Sequence, residues 1–254
     1  MPAMFDLSGR VVVVTGGNAG IGLAMARAVA EAGAEVAIWG RRADRNEAAA
    51  TELRDAGHEV SAHEVDVTDE AAVESSFANT IAAHGRVDTL IANAGGGFPG
   101  PIHELPLEQW RRSIAVNLDG AFLCFRAAAR HMIERGGGGA LVGVSSTSAI
   151  HGAPGNQAYS AAKAGVASLV RGLAVELARH GIRANTLMPG WTETEMTAPL
   201  LGWEKFMANT TARTPVRRWG VPEDMGPAAV FLSDPTIAFH TGDTVVVDGG
   251  YTVF

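Results

Sequence analysis

One pattern constrains this chain more than any other. From end to end, short apolar runs rich in β-branched residues alternate with longer runs of helical period. "VVVVTG" (11–16) leads into glycines and reads as a buried strand. "GLAMARAVAEAG" follows, a helical pattern closed by Gly33; then come the strand "EVAIWG" and a helix over 44–56 that ends at Gly57. "EVSAHEVDV", "VDTLIANAG", "GALVGVSS", "IRANTLMPG" and "DTVVVDGG" supply five more strands. Helices such as "EAAVESSFANTIAAHG" and "SLVRGLAVELARHG" fill most of the gaps. Repeated strand–helix–strand units require a parallel sheet covered on both faces. The expected fold is therefore α/β: one doubly wound Rossmann domain over residues 1–254, with a parallel sheet of about seven strands flanked by helices. The glycine run 136–139 is too short for an interdomain linker and enters a strand directly.

Composition narrows the function. Hydrophobic residues make up 47% of the chain and charged residues 19%, enough apolar material for a packed core. A formal charge of −7 argues against a nucleic-acid surface, which needs a basic field. "MPAMFDLSGR" lacks the basic and apolar regions of a signal peptide, and no apolar run reaches spanning length. The expectation is a soluble cytoplasmic protein without a membrane partner. Cys124 lies between apolar neighbours and reads as a core residue rather than a reactive thiol.

In a doubly wound sheet, ligands bind outside the carboxyl ends of the strands. There the chain reads "TGGNAGIG", "GRR", "DVTD", "NAGGG", "SSTSA" and "PGWTET", which should line one edge. In "TGGNAGIG" the glycines fall at 16, 20 and 22. Gly16 permits a tight turn, Gly20 lets backbone approach a pyrophosphate, and Gly22 lets helix pack on strand. After the second strand, Gly40 stands where an acid would bind ribose hydroxyls, and Arg41 and Arg42 follow. Guanidinium forks suit a 2′-phosphate, so NADP(H) is the expected cofactor, with NAD as the alternative. Replacing Gly40 by Asp and Arg41 by Ile is expected to reverse that preference.

The chain holds two tyrosines, and its twenty basic residues include only two lysines, Lys163 and Lys205. One of each meets in "AYSAAKAG" (158–165), with Tyr159 four residues before Lys163 and on the same helix face. An unperturbed phenol titrates near pH ~10, and a nearby ammonium or an oxidised nicotinamide would favour phenolate. Ser146, after a strand end, can polarise a substrate oxygen where charge develops; on spacing alone Ser145 or Ser148 could do the same.

Together "TGGNAGIG", "DVTD", "NAG" (93–95), Asn117, Ser146, "YSAAK" and "PGWTET" resemble, in order and spacing, the short-chain dehydrogenase/reductase family in its compact branch. The resemblance covers essentially the whole chain and is nearest to 3-oxoacyl-carrier-protein reductase and sugar or alcohol dehydrogenase members. It implies that Tyr159 donates and accepts the proton, Lys163 activates it, Ser146 binds the carbonyl and Asn117 holds a relay water. It implies cofactor contacts from Gly16, Asn18, Gly20, Ile21, Gly22, Asp66, Val67, Asn93 and Gly95. Further contacts come from Pro189, Gly190, Thr192 and Thr194, with Tyr159 and Lys163 also touching the cofactor. Ala92 departs from the second Asn of many members. A homotetramer built on helices around 117–132 and 157–180 is implied as well.

His103, His131 and His151 have no ligand-like spacing, so no metal is expected. Trp191, Trp203, Phe206 and Met207 mark either a mobile lid at about 191–215 or plain core packing. The resulting expectation is an NADP(H)-dependent carbonyl reductase or alcohol dehydrogenase acting on a ketone/secondary alcohol. An NAD-dependent sugar or hydroxysteroid-type dehydrogenase and a non-catalytic dinucleotide sensor are the alternatives. The apolar lid suits a neutral or moderately apolar ketone, with an acyl thioester or a sugar also open.

Overall fold

The computed structural model describes residues 4–254; residues 1–3, which begin the stretch without a signal-peptide pattern, lie outside the described residues. The strands are β1 (Val11–Thr15), β2 (Glu35–Gly40), β3 (Val60–Glu64), β4 (Thr89–Ala92), β5 (Gly139–Val144), β6 (Ile182–Pro189) and β7 (Thr244–Val247). The helices are α1 (Gly20–Glu31), α2 (Ala43–Asp55), α3 (Glu70–His84), α4 (Leu107–Ile114) and α5 (Gly120–Arg135). They continue with α6 (Gln157–Leu177), α7 (Ala198–Leu201), α8 (Glu204–Arg213) and α9 (Gly226–Ser233). No helix among the described residues is long and apolar enough to cross a membrane.

All seven strands are parallel, in the order β3-β2-β1-β4-β5-β6-β7. The order reverses between β1 and β4, and that switch opens a crevice at the carboxyl edge. Successive valines of β1 serve opposite faces. Val11 and Val13 join a core with Phe77, Phe125 and Val166 from α3, α5 and α6. Val12 and Val14 join one with Met25, Leu53 and Leu232 from α1, α2 and α9. Burial on both faces is why these strands read as continuous apolar runs rather than alternating ones.

Two expected strands are shorter than their apolar runs. β3 stops at Glu64 because Asp66 folds back on Thr68, accepting its amide (3.0 Å) and hydroxyl (2.8 Å). Three residues on, the Asp69 carboxylate caps α3 through the amides of Ala71 and Ala72. β7 ends at Val247 because Asp248 accepts the Gly250 and Thr252 amides and turns the chain. Before α5, residues Ala115–Asp119 form a π-helical turn that continues from α4, a feature with no sequence signature.

The position of α6 decides the site. A Cβ on Gly143 would lie 2.7 and 2.9 Å from the Val170 and Val166 side chains, so the bare glycine lets α6 lie close against β5. That close approach brings Lys163 Nζ within 2.9 Å of the Val144 carbonyl, at the carboxyl end of β5.

Candidate active site

Tyr159 and Lys163 occupy the first two turns of α6, as their spacing requires, with Lys163 Nζ 5.7 Å from the Tyr159 ring centroid. Lys163 is only 4% exposed, its ammonium donates to the Val144 carbonyl, and it makes no ion pair among the described residues. Burial lowers its pKa from 10.5 to about 8. Tyr159 is half-buried; burial raises its pKa, and the neighbouring Ser146 hydroxyl pulls it partly back down. A lowered phenol is expected from Lys163 together with an oxidised nicotinamide; among the chain's own groups, desolvation outweighs the Ser146 bond, and burial disfavours the ammonium as well.

Three serines competed for the carbonyl-binding role, and their hydrogen bonds separate them. Ser145 is buried and donates to the Lys163 carbonyl (2.8 Å), which commits it to holding α6. Ser146 caps the short 3₁₀ turn that follows β5, and both the amide and the hydroxyl of Ser148 donate to its oxygen (3.2 and 3.0 Å). Ser146 thus keeps its own O–H for the Tyr159 side of the crevice rather than for Ser148.

Asn117 sits in the π-helical turn, 1% exposed. Its side-chain amide donates to the carbonyls of Gly96 and Ser113 (both 2.9 Å) and accepts the Gly96 amide (3.2 Å). The Asn117 side chain therefore pins the loop after β4. Gly95 must be bare there, since a Cβ would fall 2.6 Å from Asn117 Oδ1.

The glycine-rich loop fits an anionic group. Gly16 and Gly20 have φ of +64° and +51°, and a Cβ on Gly20 would meet only the Thr194 side chain, at 3.4 Å. α1 begins at Gly20 with no side-chain cap and no acidic residue in its first turn, which leaves its first N–H groups for a ligand. Ile21, in the first turn of α1, is partly buried and packs against the core. Asn93 ties the loop to β4, donating from its side chain to the carbonyls of Thr15 (2.9 Å) and Gly16 (3.3 Å). The Thr15 hydroxyl completes the tie by accepting the amides of Asn93 and Ala94. Thr15 escaped the sequence reading because a threonine ending a strand carries no distinguishing signal.

At the end of β2, Arg41 and Arg42 are exposed and make no ion pair among the described residues. Asp66 is held below its usual range by the Thr68 hydrogen bonds and by Arg41, against the opposing effect of burial. Val67 is buried against Gly120. Asn18 donates to Asn46 Oδ1 (2.5 Å), and Asn46 donates to the carbonyls of Gly40 and His63. This pair bears on the Gly40→Asp exchange. A Cβ on Gly40 would lie 2.5 Å from Asn18 Nδ2 and run into Asn46 Oδ1, so an Asp at 40 requires both amide ends to shift.

Beyond Pro189 the chain passes Gly190, backed on Asp248, and crosses the whole edge. Thr192 is buried and donates to the Gly190 carbonyl (3.1 Å); Thr194 reaches Gly20, its amide bonded to Thr197 Oγ (3.0 Å). One residue on, Glu195 accepts two bonds from Arg45 Nη1 at the start of α2 (2.8 and 2.7 Å). This strap, invisible in sequence because its partners lie 150 residues apart, runs over the glycine-rich loop. Trp191 stacks on the buried Trp219 (5.1 Å) and meets Phe206 edge-on, while Trp203 stacks on Phe206 and is 57% exposed. The aromatic segment is thus anchored at Trp191 and open at Trp203. Cys124 is buried, and its thiol is pushed up to about 12, which leaves it inert.

A doubly wound sheet with an anion-accepting loop at its switch point and a Ser–Tyr–Lys set beside it has the site of a dinucleotide-dependent oxidoreductase. Comparison with known proteins agrees. A family model described as enoyl-(acyl carrier protein) reductase matches residues 16–252. Cis-4-hydroxycyclohexanecarboxylate dehydrogenase of Sinomonas cyclohexanicum is 44% identical over 244 residues, 96% of either chain. Gluconate 5-dehydrogenase of Gluconobacter oxydans is 39% identical, covering 99% of this chain and 98% of its own. The crystal structure of a gluconate 5-dehydrogenase from Burkholderia cenocepacia J2315, in complex with NADP and tartrate, superposes with a TM-score of 0.95. It is 36% identical, with 98% of each chain covered. This chain belongs to the short-chain dehydrogenase/reductase family and is an oxidoreductase of that type.

Proposed function

We propose that this single-domain protein interconverts a secondary alcohol and a ketone with NADP(H), Tyr159 acting as general acid and base. The observation that carries the reading is the convergence of Tyr159, Lys163 and Ser146 at the carboxyl end of β5, beside the uncapped start of α1. When bound, the dinucleotide supplies or accepts a hydride at the substrate carbon. Ser146, its oxygen fixed by Ser148, donates to the substrate oxygen as charge develops there. Tyr159 passes the proton to or from that oxygen. Lys163 stabilises the phenolate that results, which offsets the burial that otherwise opposes it. Asn117 holds the β4 loop in place and, in this reading, the water through which the proton leaves.

Gly16, Gly20 and the first turn of α1 would hold the pyrophosphate, and Arg41 and Arg42 the 2′-phosphate. The NADP in the Burkholderia relative supports the second assignment. Charge-assisted bonds contribute ~1.5–3 kcal/mol each, so NADPH should be preferred over NADH by at least about tenfold. Because position 40 is crowded, the test is to replace Arg41 and Arg42 by Ala rather than to add an acid. Steady-state kinetics with both cofactors should show the preference collapse in the double variant; equal use of NADH by the unmodified enzyme would refute the assignment.

The relatives named above act on hydroxy acids, which supports an alcohol or ketone bearing a carboxylate over the neutral ketone suggested by the apolar lid. The strap and α8 would close over that substrate. We read the assembly as a homotetramer, because Phe122 on α5 and Val175 on α6 remain 44% and 84% exposed. Light scattering at micromolar concentration should return the mass of four chains, and a monomer mass would contradict this.

A further inference from the structure

The strands β5, β6 and β7 are neighbours, and the segment following each contributes one side chain to a small cluster. His151 follows β5 in the loop after Ser146, Arg213 ends α8 in the segment after β6, and Tyr251 lies in the turn after β7. The His151 and Tyr251 rings meet edge to face at 5.7 Å. The Arg213 guanidinium lies over the Tyr251 ring, 4.3 Å from its centroid, with Nη1 3.5 Å from the phenol oxygen.

This cluster stands at the catalytic edge but on the side away from β1 and β2, where the glycine-rich loop and the two arginines would hold the dinucleotide. It therefore borders the substrate half of the crevice. Arg213 makes no ion pair among the described residues. The nearest acid in sequence to Tyr251, Asp248, spends its carboxylate on the Gly250 and Thr252 amides. Stacking occupies only the face of the guanidinium and leaves most of its in-plane N–H donors free, the geometry that binds a carboxylate bidentately. His151 Nε2 is closed off from solvent with no hydrogen-bond partner. Arg213 is exposed with its in-plane donors open, and the solvent-closed His151 Nε2 has no partner among the described residues; set against one phenol, the two define a place for an anion.

We infer that Arg213, with Tyr251 and His151, binds the carboxylate of a hydroxy- or oxo-acid substrate while its reacting carbon lies at Ser146 and Tyr159. This rests on the proposed alcohol–ketone chemistry and names the substrate class of that site. Tightness should reside in KM, because the carboxylate does not change during reaction.

The test compares 4-oxocyclohexanecarboxylate with its methyl ester, using NADPH and the intact enzyme, then Arg213→Gln and Arg213→Lys. The unmodified enzyme should prefer the acid over the ester by at least ~10-fold in kcat/KM, the value of one charge-assisted contact. Arg213→Gln should erase that ratio mainly through KM, and Arg213→Lys should retain part of it. Turnover of the ester as readily as the acid overturns the inference and leaves the oxidoreductase reading standing, as does an acid-to-ester ratio unchanged by Arg213→Gln. Absence of NADPH oxidation with every ketone offered would overturn the underlying reading, and the inference with it.

Discussion

Tyr159→Phe should lower turnover by ~10²- to 10⁴-fold, the range of general acid–base catalysis, while cofactor affinity changes little. The substitution keeps the ring on α6, so packing against Lys163 survives and only the transferable proton is lost. No other hydroxyl can take over readily. Ser145 is committed to the Lys163 carbonyl and Ser148 to Ser146, and an alcohol is a far weaker acid than a phenol. Near-wild-type turnover in the variant would remove Tyr159 from the mechanism.

Lys163→Met should have two opposite effects. Activity should fall by a factor comparable to that for Tyr159→Phe, because no cation remains to stabilise phenolate against burial. The unliganded fold, by contrast, should become more stable at pH 7. A buried ammonium whose pKa falls from 10.5 to about 8 costs the folded state on the order of 3 kcal/mol at neutral pH. Methionine fills a similar volume without that cost. The sign fixes the pH dependence. A depressed lysine pKa penalises the folded protein fully below pH about 8, and the penalty fades as pH rises toward 10.5. The stability gap between variant and wild type, measured by denaturant unfolding, should therefore be large at pH 7 and narrow by pH 10. A variant less stable than wild type at pH 7 would show that Lys163 is not strained in the fold. Such a trade of stability for activity is expected where a site demands a buried charge.

Much of the architecture was legible in sequence because it is local. Alternating apolar periods predict βαβ units, and the handedness and burial rules for parallel sheets leave few topologies for seven such strands. The four-residue spacing of Tyr159 and Lys163 likewise needs only a helix to become a shared face. The crowding at Gly40 was not legible, for the complementary reason. Its neighbours Asn18 and Asn46 come from different segments, and nothing in "WGRR" signals that their side chains already fill the space an acid would take. The phenol's burial was hidden from the sequence in the same way. Proximity to a lysine can be read from spacing, whereas desolvation depends on everything packed around the pair.

What the sequence alone determined was the fold class, the edge of the sheet that would carry the site, and the residue types able to do the chemistry. Tertiary structure decided which serine turns its hydroxyl to Tyr159, how the strap from Thr194 and Glu195 crosses to Arg45, and where His151, Arg213 and Tyr251 meet. Periodicity and spacing act over a few residues and survive in a string of letters. Hydrogen-bond competition and burial arise only when segments far apart in sequence, such as Arg45 and Glu195 at 150 residues, pack against one another, so no local pattern encodes them.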